Sequence, residues 1–145
     1  MDDPAAELRP PTTDELDAVE TLIEAWLDRT LDENPLLVAV ERDADAGPGD
    51  RRWFTRLAGE EKDTFTLRLT LRQRMLHYET YLMPGPEENH ARFFEYLLAR
   101  NRQLVGVSFC LGEEDAVFLV GAVPAVTLDD RGLDWILGTV WASVE

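Results

Sequence analysis

Between Thr64 and Arg72 the chain alternates with a period of two. Phe65, Leu67, Leu69 and Leu71 are separated by Thr66, Arg68 and Thr70, and flanked by Thr64 and Arg72. Side chains on a strand point to opposite faces in turn, so this segment has one apolar and one polar face. A strand of that kind belongs to a sheet with a core on one side only. Arg52 to Ala58 reads as the strand before it, with Gly59-Glu60-Glu61-Lys62 as the hairpin turn. Met75 to Met83 reads as the strand after it, across a turn at Gln73-Arg74. Three consecutive strands with short connections predict an antiparallel meander.

Helical spacing surrounds the meander. Thr12 and Glu15 fit a capping box, and Leu16, Val19, Leu22, Ile23, Trp26 and Leu27 predict a helix from about Thr13 to Thr30. Asn34-Pro35 stops it. Leu36 to Val40 is either a short strand or a buried connector, and Asp43 to Asp50 is a solvated loop. Pro86 suits the first position of a second helix, with Glu87 and Glu88 at the positive end of its dipole. Phe93, Phe94, Tyr96, Leu97 and Leu98 give that helix a broad apolar stripe to about Arg100. Leu104 to Leu111 and Ala116 to Val123 form a second hairpin about Gly112-Glu113-Glu114-Asp115, and Thr127 with Asp130 caps a last helix. The predicted order is α-βββ-α-ββ-α: an α+β fold with a five-stranded antiparallel sheet and three helices. At 145 residues one domain is expected, over residues 12–145, behind a proline-bearing tail at residues 1–11.

Charge narrows the partners. The chain holds 29 acidic residues against 14 Lys and Arg, a net of −15. Phosphate backbones and anionic lipid surfaces both call for clustered cations, so neither nucleic acid nor membrane is an expected partner. No apolar run approaches the roughly 20 residues of a membrane span, and the acidic amino terminus lacks the features of a secretory signal, so a cytoplasmic location is expected. Cys110 is the only cysteine. It excludes an internal disulfide and a cysteine-rich zinc site, and it reads as a small apolar packing residue rather than a nucleophile.

No catalytic set assembles from the remaining residues. Glu87 and His90 have the i, i+3 spacing of helical metal ligands but lack the second such pair those sites need. His77 and Glu79 share a strand face and are read either as an acid–base pair or as a polar cross-strand pair. Ser108 and Ser143 lack a nucleophile elbow, and no glycine loop cradles phosphate. An enzyme and a cofactor are therefore not expected. Binding features are stronger. Residues 1–50 carry fifteen acidic and three basic residues, whereas residues 51–83 carry four acidic and seven basic. Arg68 and Arg72, joined by Arg56 from the neighbouring strand, give the sheet a cationic face. Either the acidic first helix pairs with it or a partner does. Tyr78, Tyr81 and Met83 form an exposed patch or pack in the core. Arg56, Arg68, Arg72, Tyr78 and Tyr81 are the candidate partner contacts.

The segment from Tyr78, YETYLMPGPEENHARFFEYLLARNRQLVGVSF, resembles the YbjN family of bacterial proteins. The resemblance rests on Met83-Pro84-x-Pro86-Glu87-Glu88-Asn89, on Tyr96-Leu97-Leu98-x-Arg100-Asn101 and on the paired apolar strands ending near Gly121 and Pro124. It implies the type III secretion chaperone-like fold, whose element order is similar to the one read above. It also implies a non-enzymatic role: a chaperone-like or regulatory adaptor that holds a protein or peptide partner on sheet and helix surfaces. Relatives in that family are described as sensory transduction regulators, and the chaperones are often homodimers. The alternative is a small-molecule-sensing regulator or small enzyme with a pocket near His77 or Cys110.

Overall fold

Thr12 and Glu15 close the capping box in both directions. The Thr12 hydroxyl accepts from the Glu15 N–H at 3.2 Å, and the Glu15 carboxylate accepts from the Thr12 N–H at 3.1 Å. The helix they start, α1, runs Thr13–Glu33 in a computed structural model that describes residues 9–60 and 63–144. It extends beyond Thr30 because its stop is Pro35, not the last apolar residue of the stripe. Residues 1–8 of the expected tail, and Glu61 and Lys62 of the expected hairpin turn, lie outside the described residues.

The sheet has six strands, not five. The added one is β1, Leu37–Asp43, followed by β2 (Arg51–Ala58), β3 (Thr64–Leu71) and β4 (Met75–Met83). The short strand at Leu36 to Val40 is thus real and longer. Its periodicity is obscured by a bulge between Leu37 and Ala39, which leaves Leu37 buried and Val38 51% exposed. Helix α2 spans His90–Asn101, β5 Ser108–Leu111, β6 Val117–Pro124 and α3 Asp130–Val144. All pairings are antiparallel, in the order β1-β2-β3-β4-β6-β5.

Three local expectations are corrected. Pro86 is not the first residue of α2; Asn89, in the left-handed conformation at φ 59, precedes a helix that begins at His90. Asparagine tolerates that conformation, so the proline loop continues further than its dipole-complementing glutamates implied. The cap of α3 is Asp129 rather than Thr127 and Asp130, its carboxylate accepting from the Gly132 N–H at 2.8 Å. Finally, Leu104 to Val107 stays outside β5, because Gly106 turns the backbone to φ +78.

Helices α1 and α3 cover one face of the sheet. Ile23, Trp26 and Leu27 from α1 and Leu133, Ile136 and Leu137 from α3 meet Leu57, Leu67, Leu69, Leu71, Leu76 and Leu119, all nearly inaccessible. Each such side chain contributes about 1.5–3 kcal/mol when fully buried. Two indoles supply the polar ties: Trp26 Nε1 donates to Asp134 at 2.8 Å, and Trp141 Nε1 donates to the Ala58 carbonyl at 2.8 Å. Among the described residues no helix is long and apolar enough to cross a membrane.

Tyr78 fills the core end of this layer in the space left by Gly121, and a second glycine, Gly106, admits Trp135 beside it. A Cβ at Gly121 would stand 2.3 Å from the Tyr78 ring, and one at Gly106 would stand 2.1 Å from Trp135. The Tyr78 hydroxyl then donates to the Gly106 carbonyl at 2.6 Å. Gly121→Ala is expected to lower the free energy of unfolding by about 1–3 kcal/mol. Gly138→Ala, whose Cβ meets nothing within 4 Å on α3, should instead raise it by about 0.5–1 kcal/mol. Urea denaturation of the two variants measures both.

Candidate functional site

The second sheet face carries no helix from the α1–α3 layer, and its rows follow from the strand register. One row runs Ala39, Arg56, Thr66 across β1 to β3, and reaches Tyr81, Phe118 and Cys110 on β4, β6 and β5. The next holds Glu41, Phe54, Arg68, Glu79, Val120 and Ser108, and the third Asp43, Arg52, Thr70, His77 and Ala122. Ala39, Arg56, Thr66, Tyr81 and Cys110 are exposed, and Phe118 is half-buried. Six strands at about 4.8 Å spacing make the first row roughly 24 Å long.

Helix α1 does not cover the arginine face. It lies on the opposite side, where its acidic residues take other cations. Arg42 contacts Glu20 and Glu24 with its guanidinium 4.8 Å over the Trp53 ring, and Arg51 contacts Asp17 at 2.8 Å. The arginine face is balanced within the sheet instead. Arg68 pairs with Glu79 at 2.6 Å, Arg52 with Asp43 at 3.4 Å, and Arg72 with Asp50 at 3.6 Å. The more exposed two, Arg68–Glu79 and Arg72–Asp50, contribute about 0.2–1 kcal/mol each. Arg56 is exposed and has no ion-pair partner among the described residues.

Of the five predicted contacts, the structure brings Arg56, Arg68 and Tyr81 onto this face and leaves Arg72 exposed just beyond the end of β3. Tyr78 does not join them. It is 1% exposed on the core side, opposite Tyr81 by strand alternation taken once more, and burial pushes its phenol up from its ordinary value. Tyr81 is 50% exposed, stacked edge-on against Phe118 at 5.6 Å, and Met83 is 43% exposed.

His77 and Cys110 do not form a pocket beneath the sheet. Their partners on β6 are Ala122 and Phe118, four residues apart, and they flank β6 on opposite sides, which separates them by roughly 16 Å. The space between sheet and helices is filled, with a void of about 10 Å³ lined by residues that include Trp26, Thr55 and Leu67. Burial, and then Arg72, lowers the His77 pKa, with Asp50 opposing. Burial, and then Glu79, raises that of Cys110. Cys110 is exposed rather than packed away. His90 Nε2 meets the Pro86 carbonyl at 2.7 Å, a contact with the loop that leads into α2. No group of three or more metal-binding side chains occurs among the described residues.

A groove that the pattern did not single out adjoins the row at Cys110. Phe94, Leu97 and Leu98 of α2 face Phe109, Cys110 and Leu111 of β5 across about 210 Å³ of almost wholly apolar space. The signal was the width of the α2 stripe: five apolar residues in six positions exceed what one face can bury, and only Leu97 is buried. Leu98 is 71% exposed and Tyr96 56%. Asn101, at the end of α2, bonds both backbone groups of Phe109, accepting from its N–H at 2.6 Å and donating to its carbonyl at 3.2 Å. It stands in for a neighbouring strand along part of the β5 edge.

A depressed histidine pKa means the unfolded chain takes up the proton first. Stability from His77 is therefore present above its ordinary value of 6.5 and is lost as pH falls below it. His77→Gln should flatten the decline in urea midpoint on acidification from pH 7 to pH 5. Alkylation of Cys110 by iodoacetamide should titrate above the ordinary thiol value, and Glu79→Gln should move that midpoint down.

No protein-family model matches the chain. It is similar to uncharacterised mycobacterial proteins. One, from Mycobacterium leprae, is 32% identical over 94 residues, covering 65% of this chain and 51% of that protein. Others, from Mycobacterium bovis and Mycobacterium tuberculosis, are 30% identical over 89 residues, covering 61% of this chain and 49% of theirs. The chain thus spans about half the length of the curated relatives it matches.

Proposed function

We propose that the chain is a non-enzymatic polypeptide-binding module of the YbjN type, chaperone-like or regulatory, with the layout of type III secretion chaperones. One observation carries the reading. A helix-free row of exposed Arg56, Thr66 and Tyr81 with half-buried Phe118 runs into the apolar groove between α2 and β5. A shallow strip about 24 Å long, mixing an exposed guanidinium with aromatic rings, suits an extended segment. At about 210 Å³ the groove is smaller than the roughly 300–1,000 Å³ of common small-molecule pockets, and fits one or two side chains of such a segment. Arg56 and Tyr81 are the leading contacts. Arg68 and Arg72 lie beside them but are engaged by Glu79 and Asp50.

A homodimer through α2 is a second reading, favoured by the exposure of Leu98 and Tyr96. Arg92, Arg100 and Arg102 on or beside α2 would face Glu113, Glu114 and Asp115 of the other copy, offsetting two net charges of −15. Light scattering at micromolar concentration should give twice the chain mass, and Leu98→Glu the single mass. A single mass for both rejects the dimer.

For the binding reading, a peptide-display library is panned on the full chain. Selected peptides should bind Arg56→Glu plus Tyr81→Ala about tenfold or more weakly, the effect of losing one or two central contacts. Both residues are exposed, so an unchanged thermal transition verifies the fold. Equal binding to both proteins rejects this surface.

A further inference from the structure

The two edges of the sheet differ, and the difference assigns a second docking site. At β5 the outward N–H and carbonyl of Phe109 are taken by Asn101. At β1 nothing equivalent occurs among the described residues. The Ala58 N–H reaches the Leu36 carbonyl, so alternate residues of β2 (Arg56, Phe54, Arg52) face β1. Their register partners Ala39, Glu41 and Asp43 therefore turn their backbone groups inward. Val40 and Arg42 turn theirs outward, into solvent, on a strand where Val38, Ala39, Glu41 and Arg42 are all exposed.

Charge selects the occupant. Between Thr13 and Ala46 the chain has eleven acidic and two basic residues. Arg42, the cation on β1, is drawn under the sheet by Glu20 and Glu24. On the other face Glu41 is exposed, without an ion-pair partner among the described residues, whereas Asp43 is held by Arg52. A second β1 edge paired antiparallel about this segment would bring like charges together, which disfavours a second copy. An acidic or neutral strand gains nothing at Glu41, and the bulge at Leu37–Ala39 and the charged side chains discourage indiscriminate pairing.

We propose that the outer edge of β1 accepts an extended cationic polypeptide segment as a seventh strand. Its main chain pairs with Val40 and Arg42, a basic side chain faces Glu41, and the apolar side chains flanking it lie beside Val40 at the rim of the core. This site lies at the β1 end of the open face, at the opposite edge of the sheet from the groove between α2 and β5.

The test uses the full chain and a labelled, end-capped nonapeptide of alternating Lys and Val, with one of alternating Glu and Val as control. Fluorescence polarisation should show binding of the first alone. Glu41→Lys should weaken it about tenfold, the size of one cross-strand ion pair turned into a repulsion. Amide hydrogen exchange should show Val40 and Arg42 slowed by the peptide. Val40→Pro deletes an N–H that has no partner among the described residues, and should abolish binding with the fold retained. Absence of binding, equal binding of the acidic peptide, or unchanged binding to Val40→Pro overturns the proposal. Slowing confined to α2 and β5 also overturns it, while supporting the groove. Loss of binding in Val40→Pro but not in Arg56→Glu plus Tyr81→Ala upholds this edge whatever the fate of the other surface.

Discussion

One-sided burial of the sheet is the constraint on which everything else rests. Leu57, Leu67, Leu69, Leu71, Leu76 and Leu119 project to a single face, and α1 and α3 are the elements that close over it. Trp26, donating to Asp134, ties the two helices to each other at the centre of that layer. Once both are spent on one face, the opposite face has only short α2 beside it, held at the β5 edge. The open rows, the groove and the two unequal edges all follow from that allocation.

Charge is handled separately on each side of the sheet. The acidic stripe of α1 is met from below by Arg42 and Arg51, while Arg52, Arg68 and Arg72 are met by carboxylates of the strands and loops on their own face. A net of −15 therefore coexists with a sheet surface whose positive and negative groups nearly cancel. The residual fields lie along α1 and β1, on one flank, and around the acidic turn after β5, on the other.

Much of the fold was legible because its periodicities are strong. The alternation through Phe65 and Leu71 placed β3 to the residue at its core face, the limits of β4 were read as they stand, and the Thr12–Glu15 box marked the start of α1. What escaped was contextual. The bulge in β1 erased its period, so a six-stranded sheet read as five. Asn89 deferred α2, and Gly106 shortened β5. At the site, alternation put Arg68 on the polar face, while Tyr78 and Tyr81 read together as patch or core; their odd spacing of three divides them, Tyr81 to the open face and Tyr78 to the core. The aromatic polarity of Tyr78 masked a core role that the space left by Gly121 reveals. The part of Asn101 was hidden for a different reason: a side chain that imitates a strand carries no periodic signature.

That imitation has a consequence for how the chain can vary in length. Asn101 sits on a helix and Phe109 on a strand, yet two hydrogen bonds fix one against the other. The connection between them is closed at both ends and must span a set distance with Gly106 at a set point. An inserted or deleted residue there would rotate α2 away from the edge or slide β5 along β6. The loop from Ala44 to Gly49 has no such double anchorage, so natural or engineered insertions are best absorbed on that side of the sheet.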